Sequence, residues 1–334
     1  MEKRRVFKLN TLQYNPQDIQ ISLENYSLDS LLTNNNFDEL CVKYKEKFNF
    51  SKLKTFAFSK EGFLGLFLEL KGKIAISLGE CEALVNAGKL YESLGFDIVW
   101  ISLKKDGKVN LVELENQDIN YLFLSSYVMD TFVKISLSEV KKLTNAKIIS
   151  NASAHKDELS DAIYFDNYKL TGYNLSGVIL FEDEKLFELL HIGFIDTLAS
   201  KYCFEALENQ NFDLQMKEKF LKKLKEKFQD NIYFFVEPND TLDYSLHIAL
   251  KGIKARELIR TLALNKIFLT NGEGCSLGLS KPSRIIQAMG YDELTSRNSI
   301  SLTFTQKLED EEIQKIINTI AKKYIQIKVL NQGN

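Results

Sequence analysis

Short apolar runs alternate with amphipathic stretches from about residue 54 to residue 181. The apolar runs predict strands at 73–77, 97–101, 121–124, 147–149, 162–165 and 177–181. Apolar residues at helical spacing predict helices at 83–94 and at about 137–144. The last two strands lie too close in sequence for a helix between them. Strands of this kind, separated by helices, are typical of a mostly parallel sheet that helices cover on both faces.

The pattern changes after a predicted connecting helix at about 186–207. An amphipathic, lysine-rich helix is predicted over 214–228. The rest of the chain predicts strands at 232–236, 244–250, 267–270 and 299–304, and helices at 255–264 and 311–324. Residues 1–50 are less regular, and we expect them to pack on both domains. The chain therefore predicts an N-terminal segment (1–50), a large α/β domain (51–205) and a small α+β domain (206–334).

Composition and charge exclude several classes of protein. The 334 residues have a net charge of −2, with 45% hydrophobic and 26% charged residues, which does not suit a nucleic-acid partner. No apolar run approaches the roughly 20 residues that span a bilayer, and the N-terminus lacks the apolar core of a leader peptide. We therefore expect a cytoplasmic protein that binds neither nucleic acid nor membrane.

The cysteines and histidines argue against a metal site. Cys41, Cys81, Cys203 and Cys275 are far apart and form no CxxC pair, and the three histidines form no HxxxH pair. These spacings favour reduced thiols over a zinc site or a disulfide framework. Cys81 and Cys203 are readily explained as small apolar residues of the core.

Cys275 has a different setting from the other cysteines. It lies in the polar, glycine-flanked sequence 270–283, which reads TNGEGCSLGLSKPS, between an apolar strand and a Pro-Ser helix start. Such a loop exposes a thiol to reactants. The plain alternative is an incidental loop cysteine.

The C-terminal 90 residues resemble the class V aminotransferases of fold type I, and most of all the cysteine desulfurase branch. In that family a strand leads into a Ser/Thr-Gly-Ser-Ala-Cys loop, a Pro-Ser helix start, a Met/Leu-Gly helix end and a Ser-Ile-Arg strand. Here the same order runs through Cys275, Pro282-Ser283, Met289-Gly290 and Ser299-Ile300-Ser301. The resemblance implies a pyridoxal 5′-phosphate enzyme in which Cys275 is the sulfur nucleophile.

A second match gives the cofactor lysine. The family has a Ser-x-His-Lys-x-x-Gly-Pro-x-Gly-x-Gly sequence before an apolar strand, and this chain has Lys169, Gly172 and Gly177 at matching places. The resemblance makes Lys169 the lysine that forms the Schiff base with pyridoxal phosphate. Without the resemblance, Lys169 would be taken as a surface lysine of a strand–turn.

Other cofactor contacts differ from the family. Asp166 takes the place of a phosphate-binding serine, and a carboxylate repels a phosphate dianion unless a cation intervenes. Tyr168 precedes the lysine in place of histidine, and Cys81 falls where a histidine stacks on the ring. Asn151 matches the aspartate that faces the ring nitrogen, and Tyr127 matches the asparagine near the phenolic oxygen. Asn151 can form a hydrogen bond but offers no charge, so the electron sink is weaker.

Three further positions depart from the family. The phosphate-binding turn keeps little of its sequence at 59–63, Ala154 replaces a glutamine, and Ser301 replaces the arginine that binds the substrate carboxylate. Arg297 or Arg284 could substitute for that arginine.

Two functions from different classes follow. The first is a cysteine desulfurase-like enzyme, a homodimer by resemblance, which passes sulfur to an acceptor protein. The second is an inactive aminotransferase-fold homologue that acts as a dimeric scaffold or a sulfur-handling partner. The departures at the cofactor contacts favour the second, and the retention of both Lys169 and Cys275 favours the first.

Overall fold

A computed structural model describes residues 5–10, 36–182, 186, 195–272 and 281–332. Within these ranges the strands are β1 Phe7–Lys8, β2 Lys52–Phe56, β3 Ile74–Ser77, β4 Ile98–Ile101, β5 Tyr121–Phe123, β6 Lys147–Asn151, β7 Ala162–Phe165, β8 Gly177–Phe181, β9 Ile232–Tyr233, β10 Ser245–Leu250, β11 Ile267–Phe268 and β12 Ser299–Thr303. The helices are α1 Asn36–Phe48, α2 Lys60–Glu69, α3 Glu82–Ser93, α4 Leu137–Leu143, α5 Asn167–Thr171, α6 Thr197–Glu208, α7 Met216–Phe228, α8 Ala255–Ala263, α9 Arg284–Ala288, α10 Glu293–Ser296 and α11 Asp310–Gln332. No helix in these ranges combines the length and the apolar character that crossing a membrane requires.

The main sheet has seven strands in the order β2-β8-β7-β6-β5-β3-β4. The five strands β7, β6, β5, β3 and β4 are parallel to one another. Strand β8 is antiparallel to both of its neighbours, β2 and β7. Every residue of β3, β7 and β8 is buried, because helices cover both faces of the sheet. Residues of α2 and α3 lie in the hydrophobic cluster on one side, and residues of α1 and α6 lie in the cluster on the other. The mostly parallel sheet predicted from the sequence is confirmed.

The expectation that no helix separates β7 from β8 was wrong. The one-turn helix α5 begins after Asp166, whose side chain accepts a hydrogen bond from the Lys169 N–H. The helix ends at Gly172, which has a φ of +79°. A carboxylate at the N-cap and a left-handed glycine at the C-terminal end are sufficient to define one turn. As a result Lys169 lies on a helix at the end of β7, and not on a strand.

A smaller antiparallel sheet has the strand order β12-β10-β9. Its core includes residues of α7, α8 and α11, among them Phe220, Leu258 and Ile316. Strand β9 is shorter than predicted, and α11 continues to residue 332, beyond its predicted end. The N-terminal strand β1 pairs in parallel with β11, and Phe7 joins this second core.

Candidate active site

Polar side chains gather where the parallel strands of the main sheet end. Glu80 follows β3, Tyr127 follows β5, Asn151 is the last residue of β6, and Asp166 follows β7. Because β3, β5, β6 and β7 run in the same direction, their carboxyl ends lie at one edge of the sheet. This edge is where open α/β sheets bind ligands. The fold therefore brings polar side chains that are spread over residues 80 to 169 of the sequence together at one edge of the sheet.

Lys169 is buried and faces a carboxylate. Its side chain is only 9% exposed, and its Nζ lies 3.7 Å from Oδ2 of Asp166, whose side chain is 6% exposed. The Sδ atom of Met129 lies 4.0 Å from the same amine. Long lysine side chains are almost never fully buried unless they are paired. Burial of this pair at a ligand-binding edge points to a functional amine, because a surface lysine of a turn would remain in water.

Asn151 presents one fixed hydrogen-bond donor to the site. Its Oδ1 accepts from the Tyr127 hydroxyl at 3.2 Å and from the Ser153 N–H at 2.9 Å. Since a backbone N–H can only donate, the orientation of the amide is determined by its neighbours. The Nδ2 atom is buried and has no hydrogen-bond partner among the residues that the structure describes. A buried orphan donor of this kind suits a ligand atom with a lone pair.

The Tyr127 hydroxyl is held on both sides. It donates to Asn151 and accepts from the Ala154 N–H at 3.3 Å. Burial raises the pKa of this hydroxyl well above its usual value, and the nearby Lys169 charge opposes part of the increase. Tyr127 is therefore a neutral donor at physiological pH.

A second buried carboxylate lies beside the site. Glu80 accepts from the Ser125 N–H at 2.5 Å and from the Tyr164 hydroxyl at 2.9 Å. Burial, and then the Glu80 charge, raise the pKa of Tyr164 well above its usual value. The next residue, Cys81, is buried in the hydrophobic cluster and is the N-cap of α3. Cys81 therefore contributes a small buried thiol at this position, and no aromatic ring.

The turn at the start of α2 is the place where the sequence resemblance puts a phosphate-binding turn. The Ser59 side chain accepts from the Gly62 N–H at 3.2 Å, so it caps the helix itself. Its neighbour Glu61 is an exposed acid whose pKa is lowered, mainly by its own backbone N–H. The aromatic rings of Phe58 and Phe63 pack edge-on beside the turn. A phosphate at this turn would meet backbone N–H groups and a helix dipole, but also a carboxylate.

These residues fit pyridoxal phosphate on its aldehyde and ring sides. A buried amine and an orphan amide donor lie at the same edge of the sheet, and the neutral Tyr127 hydroxyl donates to the oxygen of that amide. An amide N–H suits an unprotonated ring nitrogen, which accepts a hydrogen bond. The Asp166 carboxylate beside the amine would repel a phosphate dianion bound nearby. The fit therefore predicts cofactor binding through Lys169 with modest affinity.

The remaining predicted site residues are placed differently. Tyr168 is half-buried on α5, beside Lys169. Arg297 follows α10 and pairs with Glu293 at 2.5 Å. It lines a cavity together with Lys254 and Arg260, and none of the cofactor candidates Lys169, Asn151 and Tyr127 is among the described residues that line it. Cys275 lies outside the described residues.

Asp130 connects the two flanks of the segment that contains Cys275. It is buried and has a left-handed backbone, with a φ of +62°. Its Oδ2 accepts from the Ser283 hydroxyl at 2.9 Å. A Cβ added to Gly272 would lie only 2.3 Å from the same oxygen. Asp130 also directly follows Met129, the residue in contact with the Lys169 amine.

Sequence reasoning did not identify Asp130, Met129 or Tyr164 as site residues. Met129 and Asp130 lie several residues beyond the end of β5, and no local pattern distinguishes them. Tyr164 reads as one more apolar position of β7, although its hydroxyl contacts Glu80. The one available signal was position, because Met129 and Asp130 follow β5 and Tyr164 is the penultimate residue of β7, on the ligand-binding edge.

Comparison with known proteins gives a consistent result. No protein-family model matches the chain. The cysteine desulfurase IscS of Pasteurella multocida is 22% identical over 300 residues, which cover 79% of this chain and 73% of the relative. IscS of Shewanella loihica is also 22% identical, over 298 residues, with the same coverage of both chains.

Solved structures are similar over most of the chain. A NifS-like protein from Rickettsia africae has a TM-score of 0.69 at 16% identity, and the match covers 96% of this chain and all of that one. Another NifS-like protein has a TM-score of 0.66 at 15% identity, with 86% of each chain covered. A glycine decarboxylase matches with a TM-score of 0.63 at 11% identity, over 86% of this chain and 75% of the other. The resemblance seen in the sequence is thereby confirmed: this chain has fold type I of the class V aminotransferases, of the cysteine desulfurase-like kind.

Proposed function

We propose that this protein is a pyridoxal-phosphate-dependent cysteine desulfurase, which removes sulfur from L-cysteine and leaves alanine. The IscS relatives are named as cysteine desulfurases, and another solved structure of this fold is that of SspA in complex with cysteine. The substrate Cβ–Sγ bond breaks, and the sulfur forms an S–S bond with Cys275. A proton ends on Cβ, so the products are alanine and a persulfide.

The observation that carries the proposal is the position of Asp130. Gly272 directly precedes the segment 273–280, Ser283 follows it after two further residues, and both touch Asp130. The residue before Asp130 contacts the Lys169 amine. These contacts of the flanking residues support a position of Cys275 near the buried amine. A sulfur transfer needs this arrangement, because thiol and substrate must reach the same place.

Each site residue has a role that follows from its contacts. Lys169 would hold the cofactor, which supplies an electron sink for the substrate when it is bound. Asp166 stabilises the charged form of the amine, and Lys169 then holds or releases a proton at Nζ. Asn151 would donate to the ring nitrogen, and Tyr127 fixes the orientation of that amide. Cys275 would act as a thiolate nucleophile.

Assembly and location belong to the same proposal. We expect a homodimer in the cytoplasm that hands its persulfide sulfur to an acceptor protein. Light scattering on the purified protein measures the assembly. A monomer that retains full desulfurase activity would contradict the dimer.

A colour experiment tests the function. The purified protein, after incubation with pyridoxal phosphate, should be yellow, and borohydride should shift its visible absorbance. Lys169→Ala should abolish the colour. Cys275→Ser should keep the colour and form no persulfide, and Cys41→Ser serves as its control. Cys41 is half-buried, and burial raises its pKa to about 11, so it is a poor nucleophile at neutral pH.

Two outcomes would contradict the proposed function. A protein that stays colourless with pyridoxal phosphate would be the inactive scaffold instead. Persulfide formation in Cys275→Ser would show that another residue accepts the sulfur.

Asp130→Ala tests separately whether the contacts of Asp130 matter for sulfur transfer. The substitution removes the acceptor of the Ser283 hydroxyl, so the cysteine segment loses one anchor. Colour should persist because the substitution leaves Lys169 and Asn151 unchanged. Persulfide formation should slow by at least about tenfold, since misplacement of a reacting group is costly. Asp118→Ala, in an exposed loop, is the control, and an equal rate in both variants would refute the anchoring role.

A further inference from the structure

A cavity with a strongly basic lining lies at the edge of the smaller sheet. Its volume is about 240 Å³. The described lining residues come from the start of α8 and from the chain before α9 and after α10: Lys254, Arg256, Glu257, Arg260, Asn271, Lys281 and Arg297. Five of the seven are cationic and one is a carboxylate. The residues assigned above to the cofactor are not among them.

Nearby carboxylates neutralise only part of this charge. Arg297 pairs with Glu293 at 2.5 Å, and Lys281 lies 3.5 Å from Glu82. Glu257 belongs to the lining and accepts from the Asn331 amide at 3.1 Å. Among the described residues, five cations thus face three acids, which leaves an excess of two positive charges. Within the described ranges, Lys254, Arg256 and Arg260 make no ion pair.

The two arginines of α8 can act on one ligand. Arg256 and Arg260 are four residues apart on the same helix, so their side chains leave the same face. A guanidinium group presents paired N–H donors that match phosphate oxygens. An excess of two positive charges also corresponds to the charge of a phosphate monoester near neutral pH.

Asn271 adds a requirement on the ligand beyond its negative charge. It lines the cavity and is 6% exposed, and its buried Oδ1 has no hydrogen-bond partner among the described residues. An orphan acceptor in a cavity wall is satisfied by a ligand that carries a donor. The ligand should therefore combine anionic oxygens with a hydroxyl group.

We propose that this cavity binds a phosphate dianion that bears a hydroxyl donor, either inorganic phosphate or a small phosphate monoester of a hydroxylated molecule. The site is separate from the cofactor residues, so the proposal does not depend on the desulfurase activity. The bound anion neutralises the excess charge of α8, Lys281 and Arg297.

Calorimetry at low ionic strength tests the proposal on the full chain, loaded with pyridoxal phosphate and then dialysed. Loading first prevents the cofactor's own phosphate site from contributing heat. The probes are inorganic phosphate, adenosine 5′-monophosphate, sulfate and adenosine. Phosphate should bind saturably and more tightly than sulfate, which lacks a hydroxyl donor, and adenosine should not bind. Tighter binding of the monophosphate than of phosphate would identify a monoester as the ligand.

Arg256→Gln combined with Arg260→Gln should weaken phosphate binding by at least about tenfold, because two charge-assisted contacts are lost. Lys315→Gln combined with Lys322→Gln removes the same charge from an exposed face of α11 and should leave the affinity unchanged. If the double arginine variant folds poorly, the exposed Arg260→Gln alone should weaken binding about threefold or more.

Three results would overturn the proposal. One is no saturable binding of phosphate or the monophosphate up to 10 mM, about the weakest useful affinity. Another is an equal loss in the α8 and α11 variants, which would indicate general charge attraction. The third is a hexaglutamate peptide that binds while phosphate and the monophosphate do not.

Discussion

Replacement of Asp166 is the most informative test of how this site binds its cofactor. The perturbation is Asp166→Ser, which places a hydroxyl where the carboxylate now lies. Serine is a good N-cap, so α5 keeps an acceptor for the Lys169 N–H. The fold around the amine is therefore preserved while one negative charge is removed.

The distance between the charges sets the magnitude. Oδ2 of Asp166 lies 3.7 Å from the Lys169 Nζ, which corresponds to about 4.5 kcal/mol at an effective dielectric constant of about 20. Desolvation of both groups offsets part of this attraction. The same carboxylate would repel a phosphate dianion and compete with it for the ammonium charge. We expect the dissociation constant of pyridoxal phosphate to fall by about 10- to 100-fold, or about 1.4–2.8 kcal/mol.

The assay is a titration of the visible absorbance with pyridoxal phosphate. Asp166→Asn is the partner variant, because it removes the charge and keeps the size of the side chain. Asp118→Ser removes a charge from an exposed loop and should not change the affinity. If both Asp166 variants fold normally and bind the cofactor no more tightly than the wild type, the reasoning about this carboxylate is refuted.

Two further predictions concern stability. His247 is buried, its ring nitrogens have no hydrogen-bond partner among the described residues, and burial lowers its pKa to about 3. As the pH falls below about 6.5, the imidazole takes up a proton in the unfolded chain but not in the folded chain. The free energy of unfolding should therefore fall by up to about 1.4 kcal/mol for each pH unit from 6.5 down to 3. His247→Leu should flatten urea-unfolding stability over that range, and an unchanged slope would contradict the assignment. Gly62→Ala should lower stability by about 1–3 kcal/mol, because its Cβ would lie 1.8 Å from the Ala57 carbonyl oxygen. Gly65→Ala, in the same helix with no atom within 4 Å, should raise stability by about 0.5–1 kcal/mol; equal effects at both glycines would show that the close approach is not what matters.

The strands and most helices could be predicted from the sequence because their signal is local. Runs of apolar residues mark the buried strands 162–165 and 177–181, and both bounds agree with the structure. Lys169 was proposed as the cofactor lysine from the resemblance of its sequence, including the glycines that follow it, to a family motif. The single turn α5 was missed because one N-cap and one glycine define it, and five residues carry no periodic pattern.

The sequence by itself determined which segments are buried and that they alternate as strand and helix, and its family resemblance led to the proposal that Lys169 and Cys275 carry the chemistry. Only the tertiary structure decided that Glu80, Asn151 and Asp166 share one edge of the sheet. It also decided that Asp130 touches both Gly272 and Ser283. The physical reason is that periodicity depends on neighbours along the chain, whereas these contacts depend on strand order and on packing between residues more than a hundred positions apart.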